Sequence, residues 1–338
     1  GTTAAVAQDD MEAPFSPEKA DITMGYRLPS LNSIAALLVA QDQGLWQACG
    51  LNNVELIQTE EVMPGVVSGS LDVGLVETVD AGQAQVDGLP IKLIAGYRPF
   101  SRNVIAVPPG IESVEDLDGK DVLLGGTPGT LDFDVRAGFL KDAGYDIESV
   151  NPNYVSVEGG SDAWVALMEE GKLFMSPIFN RHYQRLAEQD FTFWVDRQDF
   201  GSDHVVGNES FVADNPETAA AFLCGLVGGI QVWSDPANME YILGLGEAQG
   251  IEITDRITLA YEEDIKNYAP FDGGWDMSLM EALYADIVSD PVDYEDLLVL
   301  SPLHAAQEYL GLDLNPVGSM DDMDDGEEDM DDAEDSDG

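Results

Sequence analysis

From Asp21 onward the chain alternates short apolar runs with segments of helical period, and this alternation constrains the fold most tightly. The spacing predicts strands over residues 22–26, 54–57, 72–76 and 91–95. Asn32 or Ser33 can cap a first helix carrying Ile34, Leu37, Leu38 and Leu45, and further helices are expected over 64–69 and 79–86. A second set follows, with strands at 103–107, 121–124, 154–157, 173–175 and 191–195. Its helices fall after Thr130 and over 161–170. From His204 the pattern turns mostly helical, over about 216–233, 239–249, 254–268 and 277–288. Strands and helices at this pitch imply an α/β protein with parallel-type sheets, and 338 residues allow roughly two domains.

In such sheets ligands bind outside the carboxyl ends of the strands, near helix N-termini. The residues to inspect therefore follow each strand: 27–33, 59–63, 77–80, 97–102, 126–130, 177–180 and 196–200. Composition narrows the ligand. With 65 Asp+Glu against 14 Lys+Arg, for a formal charge of −51, the surface is a poor partner for a nucleic-acid backbone or an anionic membrane leaflet. Nine Asp and three Glu lie in 319–338, which reads as a solvated, disordered tail. The remaining 53 acids and 14 bases still give −39. This suits a protein working in salty or extracytoplasmic fluid, although drift in an acidic proteome would leave the same mark.

Residues 1–20 are small, polar and acidic and read as a flexible leader, of the kind left when an export signal or a lipid-anchor cysteine is removed. Cys49 and Cys224 lie in different predicted helices. Two cysteines cannot build a disulfide framework or a four-ligand zinc site, so both are expected as small buried residues. His182, His204 and His304 form no spaced ligand cluster, and no nucleophile elbow is present.

Several segments together are informative. Ala40-Gln41-Asp42-Gln43-Gly44-Leu45-Trp46 ends a helix, and Val67-Ser68-Gly69-Ser70-Leu71-Asp72-Val73-Gly74 follows. Ile111-Glu112-Ser113-Val114-Glu115-Asp116-Leu117-Asp118-Gly119-Lys120-Asp121-Val122, Val165-Ala166-Leu167-Met168-Glu169-Glu170-Gly171 and Phe211-Val212-Ala213-Asp214-Asn215-Pro216-Glu217 come next. In this order, over about 21–312, the chain resembles the type II solute-binding proteins of ABC importers. Within them it resembles the group that takes sulfonates, taurine, nitrate or bicarbonate, and pyrimidine thiamine precursors. The resemblance implies two lobes, 21–103 plus 207–318 and 104–206, joined by crossover strands at 104–107 and 204–206. They would close on a ligand between them.

On that expectation the candidate ligand contacts are Arg27, Asn32, Glu77, Thr78, Tyr97, Arg98, Thr127, Gly129, Thr130, Phe179, Asn180 and Arg197. The three arginines could offset repulsion of an anion, or simply pair with nearby acids. The turn from Gly125 to Thr130 could hold an anion on exposed N–H groups, and it lacks the Lys-Ser/Thr ending of a nucleotide loop. Tyr97 and Phe179 are the expected stacking pair, Trp194 is expected in the core, and Glu77 could accept from an N–H-bearing ring. Glu60 and Glu61 are expected as incidental surface acids.

The expectation is a non-enzymatic, monomeric, periplasmic or extracellular receptor with no cofactor and no metal, handing a small molecule to an ABC permease. A thiamine pyrimidine precursor or related ring is the first ligand class, and an alkyl sulfonate, taurine, nitrate or another small anion the alternative. Some relatives on this fold make the thiamine pyrimidine with a cysteine-rich iron motif, which two isolated cysteines do not supply.

Overall fold

A computed structural model describes residues 13–27, 30–265 and 269–317. The chain runs β1 (Asp21–Tyr26), α1 (Leu31–Asp42), α2 (Leu45–Ala48), β2 (Asn53–Gln58), α3 (Val62–Ser68), β3 (Val73–Glu77), α4 (Thr78–Val86) and β4 (Ile91–Val107). The second lobe holds β5 (Asp121–Val122), α5 (Leu131–Asp142), β6 (Asn153–Tyr154), α6 (Gly160–Glu169), β7 (Ser176–Ile178) and α7 (Asn180–Ala187). β8 (Thr192–Asn208) returns to the first lobe. It leads into α8 (Glu209–Asp214), α9 (Pro216–Ser234), α10 (Met239–Ala248), α11 (Asp255–Ile265), α12 (Met277–Ile287), α13 (Tyr294–Leu297) and α14 (Ser301–Tyr309).

The expected parallel-type sheets are present only in part. β1 pairs in parallel with β2 and with β3, but β8 is antiparallel to both β3 and β4, and β7 is antiparallel to β4. One six-stranded sheet, in the order β2-β1-β3-β8-β4-β7, therefore passes through both lobes, beside a small β5-β6 sheet. The reason is the length of β4 and β8, 17 residues each. Gly96 and Pro99 make residues 96–102 read as a loop. Instead the strand continues through them with register shifts around Arg98.

The two cores show where the crossing lies. Lobe I packs Met24, Val73, Leu93, Val205 and Val206 against α1 and against α9, which is buried continuously from Thr218 to Val227. In β4, Ile105 and Val107 enter one lobe II cluster with Phe133 and Trp194. Val104 and Ala106 enter another with Val165 and Leu186, as alternation across a strand requires. Residues 104–107 thus already belong to lobe II, and Val205 and Val206 already belong to lobe I. The chain crosses at about 98–103 and 196–203, earlier than expected on each strand.

Two other expectations change. Residues 13–20 of the leader are fastened to lobe I. Glu18 accepts from the backbone N–H groups of Glu217 and Thr218 at 3.3 and 3.0 Å, capping α9 from outside. Lys19 Nζ donates to both carboxylate oxygens of Asp72 at 2.6 and 2.8 Å. Cys49 and Cys224, each buried, are joined in a disulfide with a Cα–Cα distance of 6.1 Å. Residues 1–12 of the leader, 266–268 of the expected 254–268 helix and the acidic tail lie outside the described residues.

Candidate functional site

Topology fixes which loops face the cleft. β4 runs parallel to β1 and β3 and continues into lobe II, so the carboxyl ends of β1, β2 and β3 point at lobe II. β7 runs opposite to β4, so its carboxyl end points back at lobe I. The residues following these strands line the cleft between the lobes.

On the lobe I side, Tyr26, Arg27, Ser33, Glu60, Met63, Glu77, Asp80 and Asp203 line a cavity of about 100 Å³. Val73–Val76 are buried, so the first side chain of β3 free to meet solvent is Glu77 at its end. Glu77 pairs with Arg27. Behind it Arg98 lies opposite Asp203 in the β4–β8 ladder, and Arg98 Nε donates to Asp203 Oδ2 at 2.9 Å. Arg98 is 9% exposed, so this pair is largely withdrawn from water. Four carboxylates (Glu60, Glu77, Asp80 and Asp203) thus face two guanidiniums, each already engaged by a carboxylate.

Thr78 and Tyr97 are not at the cavity wall. Thr78 is buried at the start of α4; its hydroxyl is 2.7 Å from His204 Nδ1 and its carbonyl accepts from the Tyr284 hydroxyl. His204 is fully buried, and burial brings its imidazole down to about 3, so it is neutral. Tyr97 is 2% exposed and its ring is parallel to that of Trp233, with centroids 6.4 Å apart, inside the lobe I core. It cannot stack on a ligand without dismantling that core. Asn32 is half-buried in the first turn of α1, next to the cavity-lining Ser33.

On the lobe II side, the turn before α5 largely satisfies itself. Gly129, at φ +89°, donates its N–H to Asp134 Oδ1 at 2.9 Å, and the Thr130 N–H and hydroxyl donate to the Thr127 carbonyl at 3.1 and 2.9 Å. A carboxylate of the chain thus already occupies one amide that an anion would use. Phe179, 55% exposed, stands just before α7 with Trp164 at 6.4 Å. Asn180 follows it, with Oδ1 buried and without a protein partner. Arg197 lies on the other flank, over the Phe139 ring and 3.5 Å from Asp142 of α5. Trp194 is core, stacked on Tyr145 at 4.1 Å.

Of the expected contacts, Arg27 and Glu77 line the lobe I cavity, while Phe179, Asn180 and the 127–130 turn stand on lobe II, Asn180 lining another cavity between α6, α7 and α11. Sequence reasoning set Glu60 aside as incidental, held Ser33, Met63 and Asp80 within its inspection windows without choosing them, and missed Asp203. Asp203 carried no usable signal, because it becomes the partner of Arg98 only when residues 196–203 are read as strand. Among the described residues no group of three or more His, Cys, Asp or Glu is placed to hold a metal ion. Among them, no helix is long and apolar enough to cross a membrane.

Comparison with solved structures gives the same architecture. A protein from Bordetella bronchiseptica RB50 superposes with a TM-score of 0.61 at 20% identity, covering 88% of this chain and 99% of that one. The periplasmic aliphatic sulphonate binding protein SsuA from Escherichia coli gives 0.58 at 15%, covering 83% and 92%. A putative periplasmic sulfonate-binding protein SsuA from Methylobacillus flagellatus KT gives 0.61 at 14%, covering 88% and 97%. At these identities the likeness is one of fold, the two-lobed periplasmic-binding-protein fold. No curated protein sequence matches the chain. The NMT1/THI5-like family model matches residues 32–238, which hold β2, β3, both crossing strands and most of the cleft, and the chain belongs to that family.

Proposed function

We propose that the protein is a solute-binding receptor of an ABC importer, acting outside the cytoplasm as a monomer and handing a small molecule to a permease by closure of its lobes. Its ligand is a small ring rich in N–H donors or carrying positive charge, of which a thiamine pyrimidine precursor is the type. The observation that carries this reading is the acidic lobe I wall, where Glu60, Glu77, Asp80 and Asp203 outnumber two guanidiniums already bound to carboxylates. Carboxylates accept hydrogen bonds and attract cations, and an amino-pyrimidine offers them N–H groups. The exposed Phe179 ring offers a stacking face from lobe II. The Cys49–Cys224 bridge supports an oxidising, extracytoplasmic setting.

The names of two fold relatives favour a sulfonate instead. Arg27 and Arg98 each pair with an acid of that wall, Glu77 and Asp203, and the four acids outnumber them, which speaks against it here. Titration calorimetry with 4-amino-pyrimidines, taurine, alkyl sulfonates and nitrate separates the two readings. The cationic reading expects binding of the aminopyrimidine, weakened about tenfold or more by Glu77→Gln, a loss of about 1.4 kcal/mol from one charge-assisted hydrogen bond. Binding of a sulfonate, strengthened by the same substitution, would overturn it.

A further inference from the structure

A second cavity, of about 520 Å³, opens where α6 and α7 of lobe II meet α11 of lobe I; Asn180 lines it, and it shares no lining residue with the lobe I cavity. Its charge is unusual for this chain. Three of the 14 basic residues, Arg181, Arg185 and Arg256, line it, with Asp162 and Glu188 as the acids. Asp162 is shared: Arg181 Nη2 lies 3.4 Å and Arg256 Nε 3.1 Å from its carboxylate. Glu188 instead accepts from Gln184 at 3.1 Å. Among the described residues Arg256 pairs only with Asp162, through Nε, which leaves its Nη groups with donors to spare, and Arg185 pairs only with Glu169, at 3.4 Å.

Arg181 is held in place. Its guanidinium side chain is 10% exposed, lies over the Phe179 ring at 5.1 Å, and donates to Ser161 Oγ at 2.6 Å. Ser161 Oγ is in turn 3.1 Å from His182 Nε2. Around His182 three guanidiniums stand against the single acid Asp162. Burial first, and then Arg181 with Arg185 and Arg256, hold His182 down to about 4, although Asp162 beside it pulls the other way. At physiological salt the screening length is about 8 Å, so the many distant acids count for less here than these guanidiniums.

We propose that this cavity is a binding site for a free doubly charged oxyanion such as sulfate or phosphate, held by Arg185 of lobe II and Arg256 of lobe I beside Arg181. Guanidinium forks match the geometry of such oxygens. Because Arg256 stands on α11, whose Ile257, Tyr261 and Ile265 belong to the lobe I core, an anion seated here bridges the two lobes.

The test is the melting midpoint of the full chain in sodium sulfate, and separately in sodium phosphate, against sodium chloride of equal ionic strength. At ten times its dissociation constant, a bound oxyanion should raise the midpoint about 2 °C above the chloride control. The Arg185→Gln/Arg256→Gln protein, altered only at exposed side chains, should keep the chloride response and lose that increment. Glu188→Gln, which removes an opposing charge, should enlarge it. No increment in the wild type, or an equal increment in the double variant, would overturn the site.

Discussion

The disulfide offers the sharpest quantitative check of the fold. It joins the residue after α2 to the middle of α9 across a sequence separation of 175, inside the lobe I core. On the chain-entropy account, a closed loop of that length removes about 17 cal/mol/K from the unfolded ensemble, or about 5 kcal/mol at 25 °C. The perturbation is Cys49→Ala/Cys224→Ala. Alanine is preferred to serine because Cys224 is 1% exposed and a hydroxyl there would be buried without an assured partner. Two small cavities should add about 1 kcal/mol each. The wild type with its disulfide reduced carries the entropic loss without the lost sulfur volume, so comparing it with the alanine variant separates the two costs. Urea unfolding followed by far-ultraviolet circular dichroism measures the difference. The expected loss corresponds to a fall in melting midpoint of at least about 10 °C. Two alkylatable thiols in the denatured, non-reduced protein would refute the bridge. A loss below about 1 kcal/mol in both forms would refute the argument that α2 and α9 are held together through the loop it closes.

Two further outcomes follow from packing and protonation. A Cβ at Gly229 of α9 would lie 2.3 Å from the Ala36 carbonyl oxygen of α1, a backbone atom that cannot rotate away, so Gly229→Ala should cost about 1–3 kcal/mol by overpacking, read by urea unfolding. His182 and His204, held down to about 4 and 3 against an ordinary 6.5, stay neutral in the fold while the unfolded chain takes up protons. Their contribution is therefore complete above about pH 6.5 and shrinks as pH falls towards 4, by up to about 1.4 kcal/mol per pH unit for each group. His182→Gln should flatten the slope of unfolding free energy against pH in that window by about half of the histidine part. An unchanged slope would show that His182 is protonated in the fold.

How far each feature could be read from the sequence follows from how local its cause is. β1, β2, β3, α1 and α9 carry their apolar periodicity in consecutive residues, and their positions follow directly. α7 was missed because Asn180–Ala187 is short and polar overall, so its strongly amphipathic pattern, with His182 and Leu186 buried, spans little more than two turns. The continuity of β4 was missed because Gly96 and Pro99 punctuate it, and a strand that bulges past such residues is secured by its partner β8 rather than by its own sequence. The same dependence on a distant partner hid the Cys49–Cys224 bridge and the Arg98–Asp203 pair.

The arginines show the consequence for function. Read along the chain, Arg27, Arg98 and Arg197 stand near predicted strand ends and suggest an anion. In three dimensions Arg27 and Arg98 neutralise acids of the lobe I wall and Arg197 lies over Phe139 on the other flank. In a chain with 65 acids and 14 bases, a cation near any carboxylate will usually be paired with it. A guanidinium marks an anion site only where spare donors meet a cavity. Arg185 and Arg256 meet that condition at the second cavity, whereas at the lobe I wall four carboxylates surround Arg27 and leave an acceptor-rich surface.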